Sequence, residues 1–358
     1  MFHSNSLAGL AWEEFSSRVL TEKAPLLQDD GIPYHILFSQ QFDRAFLDRI
    51  SDVATSIRGI AKSKEGLMFL QDLVCDRRAM LYFVQPSSRT FLSFVAACQI
   101  LGIQQGELRD TTTSSELKGE SQEDSVRTFS SYFDLIIMRH PSAGFAERIA
   151  WMLSNTDRPV PVINAGSGKD QHPTQALLDI YTLKRSFEQR GGIDGKTVAF
   201  VGDLARGRTV RSLARLLTCY QGVKQIFVAP KPLQIGSDIL QELTAAGSEV
   251  EVRDDFEQVI PEADAIYMTR IQDEWDEDGE SSAIDIDRFS FRAEHLNLLG
   301  PESVILHPLP RRSEIAVEVD SDPRAVYWRQ VRNGMWIRAA LILMIFQRDD
   351  RIAGYSEG

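Results

Sequence analysis

The sequence has little cysteine, no long apolar run and a shortage of positive charge, and each lack removes a class of function. Cys75, Cys98 and Cys219 are the 3 cysteines among 358 residues. Odd in number, widely spaced and set among apolar neighbours, they cannot build a cysteine-based zinc site or a disulfide framework. They read as reduced core residues of a cytoplasmic protein. No stretch reaches the roughly 18 consecutive apolar residues that a membrane-spanning helix needs. Residues 1–33 lack the basic start and apolar centre of a signal peptide. The net charge of −12 argues against nucleic acid or an anionic membrane surface as the main partner. A pocket for a small anion stays open, because it needs only local positive charge.

What is present is ordinary for a soluble chain, with 43% hydrophobic and 25% charged residues. The length suits two domains. Residues 1–33 read as an N-terminal extension with one short helix near Leu10–Leu20. Tyr34 opens the domain proper, followed by an amphipathic helix over Gln41–Ser63 with Phe46, Leu47, Ile50, Val53 and Ile57 on one face.

Ala79–Val84 then reads as a buried strand closed by Pro86, since proline cannot donate to a ladder. Ser87 and Ser88 are N-cap candidates for a helix with Phe94, Ala97, Cys98 and Leu101 at helical spacing, and Gly102 suits its C′ position. A strand feeding a helix whose first turn holds Ser87-Ser-Arg-Thr90 can bind a phosphate through unpaired N–H groups, hydroxyls and a guanidinium. Taken alone, it could equally be a well-capped surface helix with an exposed arginine.

The alternation continues. Asp110–Ser121 is a polar loop, Glu123–Tyr132 a helix, Leu135–Met138 a strand ending on Arg139-His140, Ala146–Leu153 a helix, and Val160–Asn164 a strand. A loop then leads to His172-Pro-Thr-Gln175 and a helix to about Phe187. Gly191-Gly192 punctuates the chain and marks the preferred domain boundary, with a hinge inside the preceding helix as the alternative. Beyond it, Thr197–Val201, Gln225–Ala229, Glu249–Arg253, Ala265–Thr269 and Ser303–Leu306 read as strands separated by helices. Strands alternating with helices imply parallel sheets, whose ligands bind beyond the carboxyl ends of the strands. The polar clusters fall there: Ser87–Thr90, Arg139-His140, His172, Asp203–Arg208, Arg270-Ile-Gln272 and His307-Pro-Leu-Pro-Arg311.

Each cluster has a plainer reading. His172 precedes a proline that suits N1 of a helix, where the helix dipole favours a neutral imidazole able to polarise a carbonyl; a lone histidine also caps or packs. Gly202-Asp-Leu-Ala-Arg-Gly-Arg-Thr209 is one residue from a P-loop, but Arg208 stands where the lysine belongs, which argues against a nucleoside triphosphatase. The two prolines after His307 leave backbone carbonyls at a strand end, able to accept from an N–H₂ group. The acidic run Asp273–Glu280 reads as a solvated loop.

As an ordered set these motifs resemble the aspartate/ornithine carbamoyltransferase family. The segments are Pro86–Thr90, Ser114 to Glu120, Met138–Pro141, Asn164 to Gln175, Val201 to Val210, Tyr267–Gln272 and His307–Arg311, and the likeness covers about Tyr34 to Asp349. Thr174 and Pro308 stand where the ornithine branch usually carries cysteine, which favours the aspartate branch. The resemblance implies two doubly wound parallel-sheet α/β domains with the active site between them. The expected division is 34–190 for carbamoyl phosphate, 191–334 for aspartate, and 335–358 as a helix packing back on the first domain.

It further implies that Ser87, Ser88, Arg89 and Thr90 hold a phosphate, and that Thr90, Arg139 and His172 meet a carbonyl oxygen. Gln175 with the carbonyls of Pro308 and Leu309 would hold a carbamoyl amino group. Arg208, Arg270 and Gln272 would grip two carboxylates. Lys118, with Ser114, would reach a neighbouring subunit's site in a homotrimer. The reaction needs no metal or other cofactor; regulatory or dihydroorotase chains could join as partners. A carbamoyltransferase for another amine, or an anion-binding scaffold without activity, are the alternatives. The chain departs from the family at Phe91, Val95 and Ala205, where arginine, glutamate and lysine are usual. Loss of the first two together fits removal of an internal ion pair at little net cost.

Overall fold

A computed structural model describes residues 6–29, 31–110, 119–168, 171–270 and 286–355. The chain forms two compact units, residues 1–174 with 334–358 and residues 175–333.

Unit 1 begins with α1 (Trp12–Ser17), α2 (Leu20–Lys23) and a small antiparallel pair, β1 (Gln28–Asp29) and β2 (Ile32–Pro33). Two helices thus replace the single one expected near Leu10–Leu20. Next come α3 (Arg44–Ile60), α4 (Lys64–Asp72), β3 (Arg78–Phe83), α5 (Ser88–Ile100) and β4 (Gln104–Leu108). They are followed by α6 (Gln122–Tyr132), β5 (Leu135–His140), α7 (Phe145–Ser154) and β6 (Val162–Ser167). The sheet is parallel in the order β4-β3-β5-β6, so the winding reverses between β3 and β5.

Met80 and Tyr82 of β3, Ile136 and Met138 of β5 and Val162 of β6 put one sheet face against Val126 of α6 and Ile149 and Leu153 of α7. Leu7, Phe15 and Leu27 of the N-terminal segment complete that core and are fully buried. On alternate positions of β3, Phe83 meets Phe91 of α5 edge-on at 5.3 Å. Phe91 is buried and carries the Arg109 guanidinium over its ring at 4.4 Å, so apolar packing and a cation–π contact occupy the place of the family's arginine.

The expected helix 41–63 is shorter, because the Asp43 side chain caps α3 by accepting from Phe46 N–H at 2.8 Å. Ser63, read as the helix end, instead caps the unexpected α4 by accepting from Gly66 N–H. Strand β4 was also not expected, since this edge strand is polar and no residue of it is fully buried. Of the cysteines, Cys98 is buried and burial pushes its thiol up to about 12, whereas Cys75 is exposed rather than in the core.

Unit 2 contains the rest of α8 (Pro173–Ser186), which the chain enters in unit 1 and leaves in unit 2, the passage falling at Thr174–Gln175. This precedes the Gly191-Gly192 punctuation, whose residues take positive φ in a turn after α8. β7 (Thr197–Val201), α9 (Arg208–Leu217), β8 (Lys224–Val228), α10 (Ser237–Ala245), β9 (Glu249–Arg253), β10 (Ala265–Met268) and β11 (Val304–Leu306) follow. Their sheet is parallel in the order β11-β10-β7-β8-β9, reversing between β7 and β10. Val201, Val228, Met268 and Ile305 pack one face on Phe256, Phe291 and Tyr327, while Phe200 and Phe227 stack at 5.2 Å on the alternate positions. α11 (Tyr327–Ile345) starts before the expected Met335 and re-enters unit 1 at Gly334; α12 (Asp350–Ala353) ends the fold.

Candidate functional site

In unit 1 the strand ends on either side of the reversal collect the predicted polar side chains. Ser87 is the residue preceding α5, with its side chain making no capping bond, and Ser88 and Arg89 are exposed in the first turn. That turn leaves its N–H groups and hydroxyls presentable to an anion. Thr90, Arg139 and His172 behind it are 7, 8 and 4% exposed. Thr90 Oγ1 lies 3.5 Å from His172 Nε2. Arg139 Nη1 donates to the carbonyl of Ala165 at 3.1 Å.

Arg139 and His172 meet over Gly166. A Cβ on that glycine would lie 2.4 Å from Arg139 Nη1 and 3.1 Å from His172 Cδ2, and its φ of +109° is itself one that L residues avoid. Asn164 shapes this turn: its Oδ1 accepts from Gly166 N–H, and its Nδ2 donates to the Leu37 carbonyl and to Ser167 Oγ. His140, next to Arg139, is not part of the group. It stacks on Phe145 at 4.0 Å and hydrogen-bonds Gln122 Oε1 at 2.9 Å.

Behind α5, the buried Arg338 of α11 donates to Ser93 Oγ at 2.7 Å and to Thr174 Oγ1 at 3.4 Å, with its guanidinium 4.9 Å from the Phe94 ring. It ties the first helix of the site to the first turn of α8.

In unit 2 the reversal lies at β7 and β10, and the predicted cations follow those strands. Arg208 is the first residue of α9 and Arg270 follows β10; both are half-buried. The strand ends are pinned together, for Thr269 donates to the Val201 carbonyl through both N–H and Oγ1. A Cβ at Gly202 would sit 2.3 Å from the Thr269 carbonyl oxygen, so β7 and β10 close there only around a glycine. Asp203, fully buried, accepts from Arg206 N–H at 3.1 Å and shapes the turn into α9.

Beyond β11, His307 fixes the Pro308-Leu309 segment. Its Nδ1 accepts from Leu309 N–H at 2.7 Å, which puts the ring proton on Nε2, donating to Glu314 Oε1 at 2.7 Å. Burial opposes a charge on Glu314, yet the hydrogen bond from His307, with the backbone N–H of Arg312, holds its carboxyl below the ordinary value. Leu309 is thereby held at φ +56°, in the left-handed region that costs about 1–3 kcal/mol for such a residue.

Gln175 is buried one residue inside unit 2, its Nε2 donating to Asp179 Oδ1 at 2.9 Å. Asp179 also receives Gln330 Nε2 and the Tyr267 hydroxyl. Asp179, Gln330 and Glu314 were not among the expected site residues. Asp179 had a signal, being an acidic residue four after Gln175 and so on the same helix face. Ser114, Lys118 and Gln272 lie outside the described residues. Among the described residues no histidine, cysteine and carboxylate cluster could hold a metal ion, and no helix is long and apolar enough to cross a membrane.

Two domain families match successive stretches of the chain. Residues 34–185 match the carbamoyl-P binding domain, and residues 194–345 the Asp/Orn binding domain, of aspartate/ornithine carbamoyltransferase. The chain is 42% identical over 320 residues to the chloroplastic aspartate carbamoyltransferase of Oryza sativa, covering 87% of this chain and 84% of the rice protein. It is 40% identical over 311 residues to the aspartate carbamoyltransferase catalytic subunit of Chromobacterium violaceum, covering 87% and 97%. Among solved structures, Trypanosoma cruzi aspartate transcarbamoylase in complex with carbamoyl phosphate and aspartate superposes with a TM-score of 0.74 at 34% identity, covering 86% of this chain and 95% of that one.

Proposed function

The chain belongs to the aspartate/ornithine carbamoyltransferase family, and we infer from that premise that it transfers the carbamoyl group of carbamoyl phosphate to the amine of L-aspartate. The products are N-carbamoyl-L-aspartate and phosphate, an early step of pyrimidine synthesis. The observation that carries the reading is that Arg139 and His172 meet at Gly166, with Thr90 beside His172, behind the serine-rich first turn of α5. Two of these donate by nature, and the imidazole can donate from Nε2.

The roles follow from chemistry. Ser87, Ser88, Arg89 and Thr90 hold the phosphate, N–H groups and guanidinium offsetting its charge. Thr90, Arg139 and His172 donate to the carbamoyl oxygen, whose negative charge grows as the amine attacks. Gln175 Oε1 and the carbonyls of Pro308 and Leu309 accept from the carbamoyl amino group. Arg208, Arg270 and Gln272 bind the two carboxylates of aspartate. The attacking nitrogen forms the new C–N bond, loses a proton, and the C–O bond to phosphate breaks as phosphate departs. Positioning and charge stabilisation supply the acceleration.

Phosphate release from carbamoyl phosphate, measured against a panel of amines, tests this. Release with aspartate is expected; release with ornithine or putrescine but none with aspartate would sink the substrate assignment. The site proposal extends to a cytoplasmic homotrimer in which Lys118, with Ser114, serves a neighbouring subunit. Lys118→Ala and Arg89→Ala chains, each inactive, then recover activity in mixed trimers; verified mixed trimers without recovery would refute sharing.

A further inference from the structure

We infer that Asp179 is a positioning residue, which fixes the direction of the Gln175 amide so that Oε1 rather than Nε2 is offered to the carbamoyl amino group. This rests on the role given to Gln175 above. Asp179 is fully buried in α8 and accepts from Gln175 Nε2 at 2.9 Å and Gln330 Nε2 at 2.6 Å on Oδ1, and from the Tyr267 hydroxyl at 2.8 Å on Oδ2. A carboxylate only accepts, so both amides must turn their NH₂ ends toward it. Among the described residues nothing donates to Gln175 Oε1. It is left as an acceptor.

Independent geometry supports that assignment at the far end. Gln330, once its NH₂ is committed to Asp179, has Oε1 remaining, and Oε1 accepts from the backbone N–H of His307 at 2.9 Å, a group that only donates. Tyr267 agrees as well. Burial and then the Asp179 charge hold its phenol well above the ordinary value, so it keeps the proton it donates. From His307 the relay passes through Nδ1 to Leu309 N–H and through Nε2 to Glu314. One buried network therefore connects the side-chain acceptor Gln175 with the segment that bears the Pro308 and Leu309 carbonyls. An amide whose NH₂ was not committed would present a donor to a donor in its other orientation, at the cost of an unmade hydrogen bond.

The test uses acetyl phosphate, which carries a methyl where carbamoyl phosphate carries the amino group. Affinities for both are measured by calorimetry in the unsubstituted chain, Asp179→Asn, Gln175→Leu and the double variant. Asparagine is nearly isosteric but can present either end to the amides. Preference for carbamoyl over acetyl phosphate is expected to fall about tenfold in each single variant, with acetyl phosphate affinity held within about twofold, and no further in the double variant. A parallel loss of both affinities, or additive losses in the double variant, would overturn the proposal.

Should Asp179→Asn not fold, neutron diffraction from the unsubstituted chain decides directly. Deuterons on both amide groups facing Asp179 support the inference, and an oxygen of Gln175 facing it refutes it. Turnover of carbamoyl phosphate with aspartate by the unsubstituted chain is measured first. Its absence would strike the functional reading, while the neutron map would still report the amide direction.

Discussion

In unit 1 the strand ends deliver donors: the hydroxyl of Thr90, the guanidinium of Arg139 and the imidazole of His172, all buried, with Arg139 and His172 crowded on Gly166 and Thr90 beside His172. In unit 2, Gln175 in the first turn of α8 and the carbonyls after β11 offer acceptors, and two half-buried arginines follow β7 and β10. Both sheets are parallel, and their winding reverses between β3 and β5 in unit 1 and between β7 and β10 in unit 2. Topology therefore sets where the groups collect, and the means of holding them sets their chemistry. Donors are fixed by direct backbone contact, as in Arg139 to Ala165. Acceptors are fixed from behind by buried carboxylates, Asp179 and Glu314. That difference makes the donor half sensitive to small steric changes and the acceptor half sensitive to loss of charge.

The largest effect is expected at the donors themselves. Arg139→Met keeps the apolar stem and removes the guanidinium, and kcat should fall by about 100–1000-fold, the usual loss for one donor to a developing oxyanion. The thermal midpoint should move little, because the carbonyl of Ala165 can be reached by water once the guanidinium is gone. A loss confined to KM for aspartate would place Arg139 in the wrong half of the comparison.

Gly166→Ala asks whether the donor half is as tight as the contacts imply. The new methyl would need the space of Arg139 Nη1, and a displacement of about 1 Å at a reacting group can cost about 100-fold. Activity should fall by roughly that factor, with affinity for inorganic phosphate weakened less, since Ser87–Thr90 lie on another element. Unchanged kcat would show that the guanidinium can move without consequence.

Legibility in the sequence followed burial. Strands buried on both faces, such as Leu135–His140 and Thr197–Val201, announce themselves as apolar runs. The edge strand Gln104–Leu108 has no such run, because one of its sides has no neighbouring strand and little of it is buried. The unit 1 cluster was readable because its donors follow strands directly, at Arg139 and after Phe83. The supports of the acceptors were only partly readable: Asp179 stands four residues after Gln175, but its remote partners carry no signal. Asp179 reaches Gln330 across 151 residues and Tyr267 across 88. No local pattern encodes a pairing at that separation. The departure at Phe91 was legible as a lost charge, and the structure shows its replacement, a ring packed on Phe83 under Arg109.

The smallest effect belongs to a buried group outside either half, and it appears in stability. His35 is fully buried; its Nδ1 accepts from Val162 N–H at 3.1 Å, and its Nε2 therefore carries the proton toward Ser154 Oγ at 2.9 Å. Burial lowers its pKa from 6.5 to about 3, so the folded chain keeps it neutral where the unfolded chain protonates it. The unfolded state then binds the extra proton, and stability must fall as pH drops from 6.5 toward 3, by up to about 1.4 kcal/mol per pH unit. Glu314 acts in a separate window. Its lowered pKa gives stability that is present above its ordinary 4.5 and is lost only as pH falls through the lower folded value. Urea midpoints measured between pH 7 and 5 should therefore decline in the unsubstituted chain and stay nearly flat in His35→Gln. An equal decline in both would assign the acid sensitivity to other groups and leave His35 a packing residue.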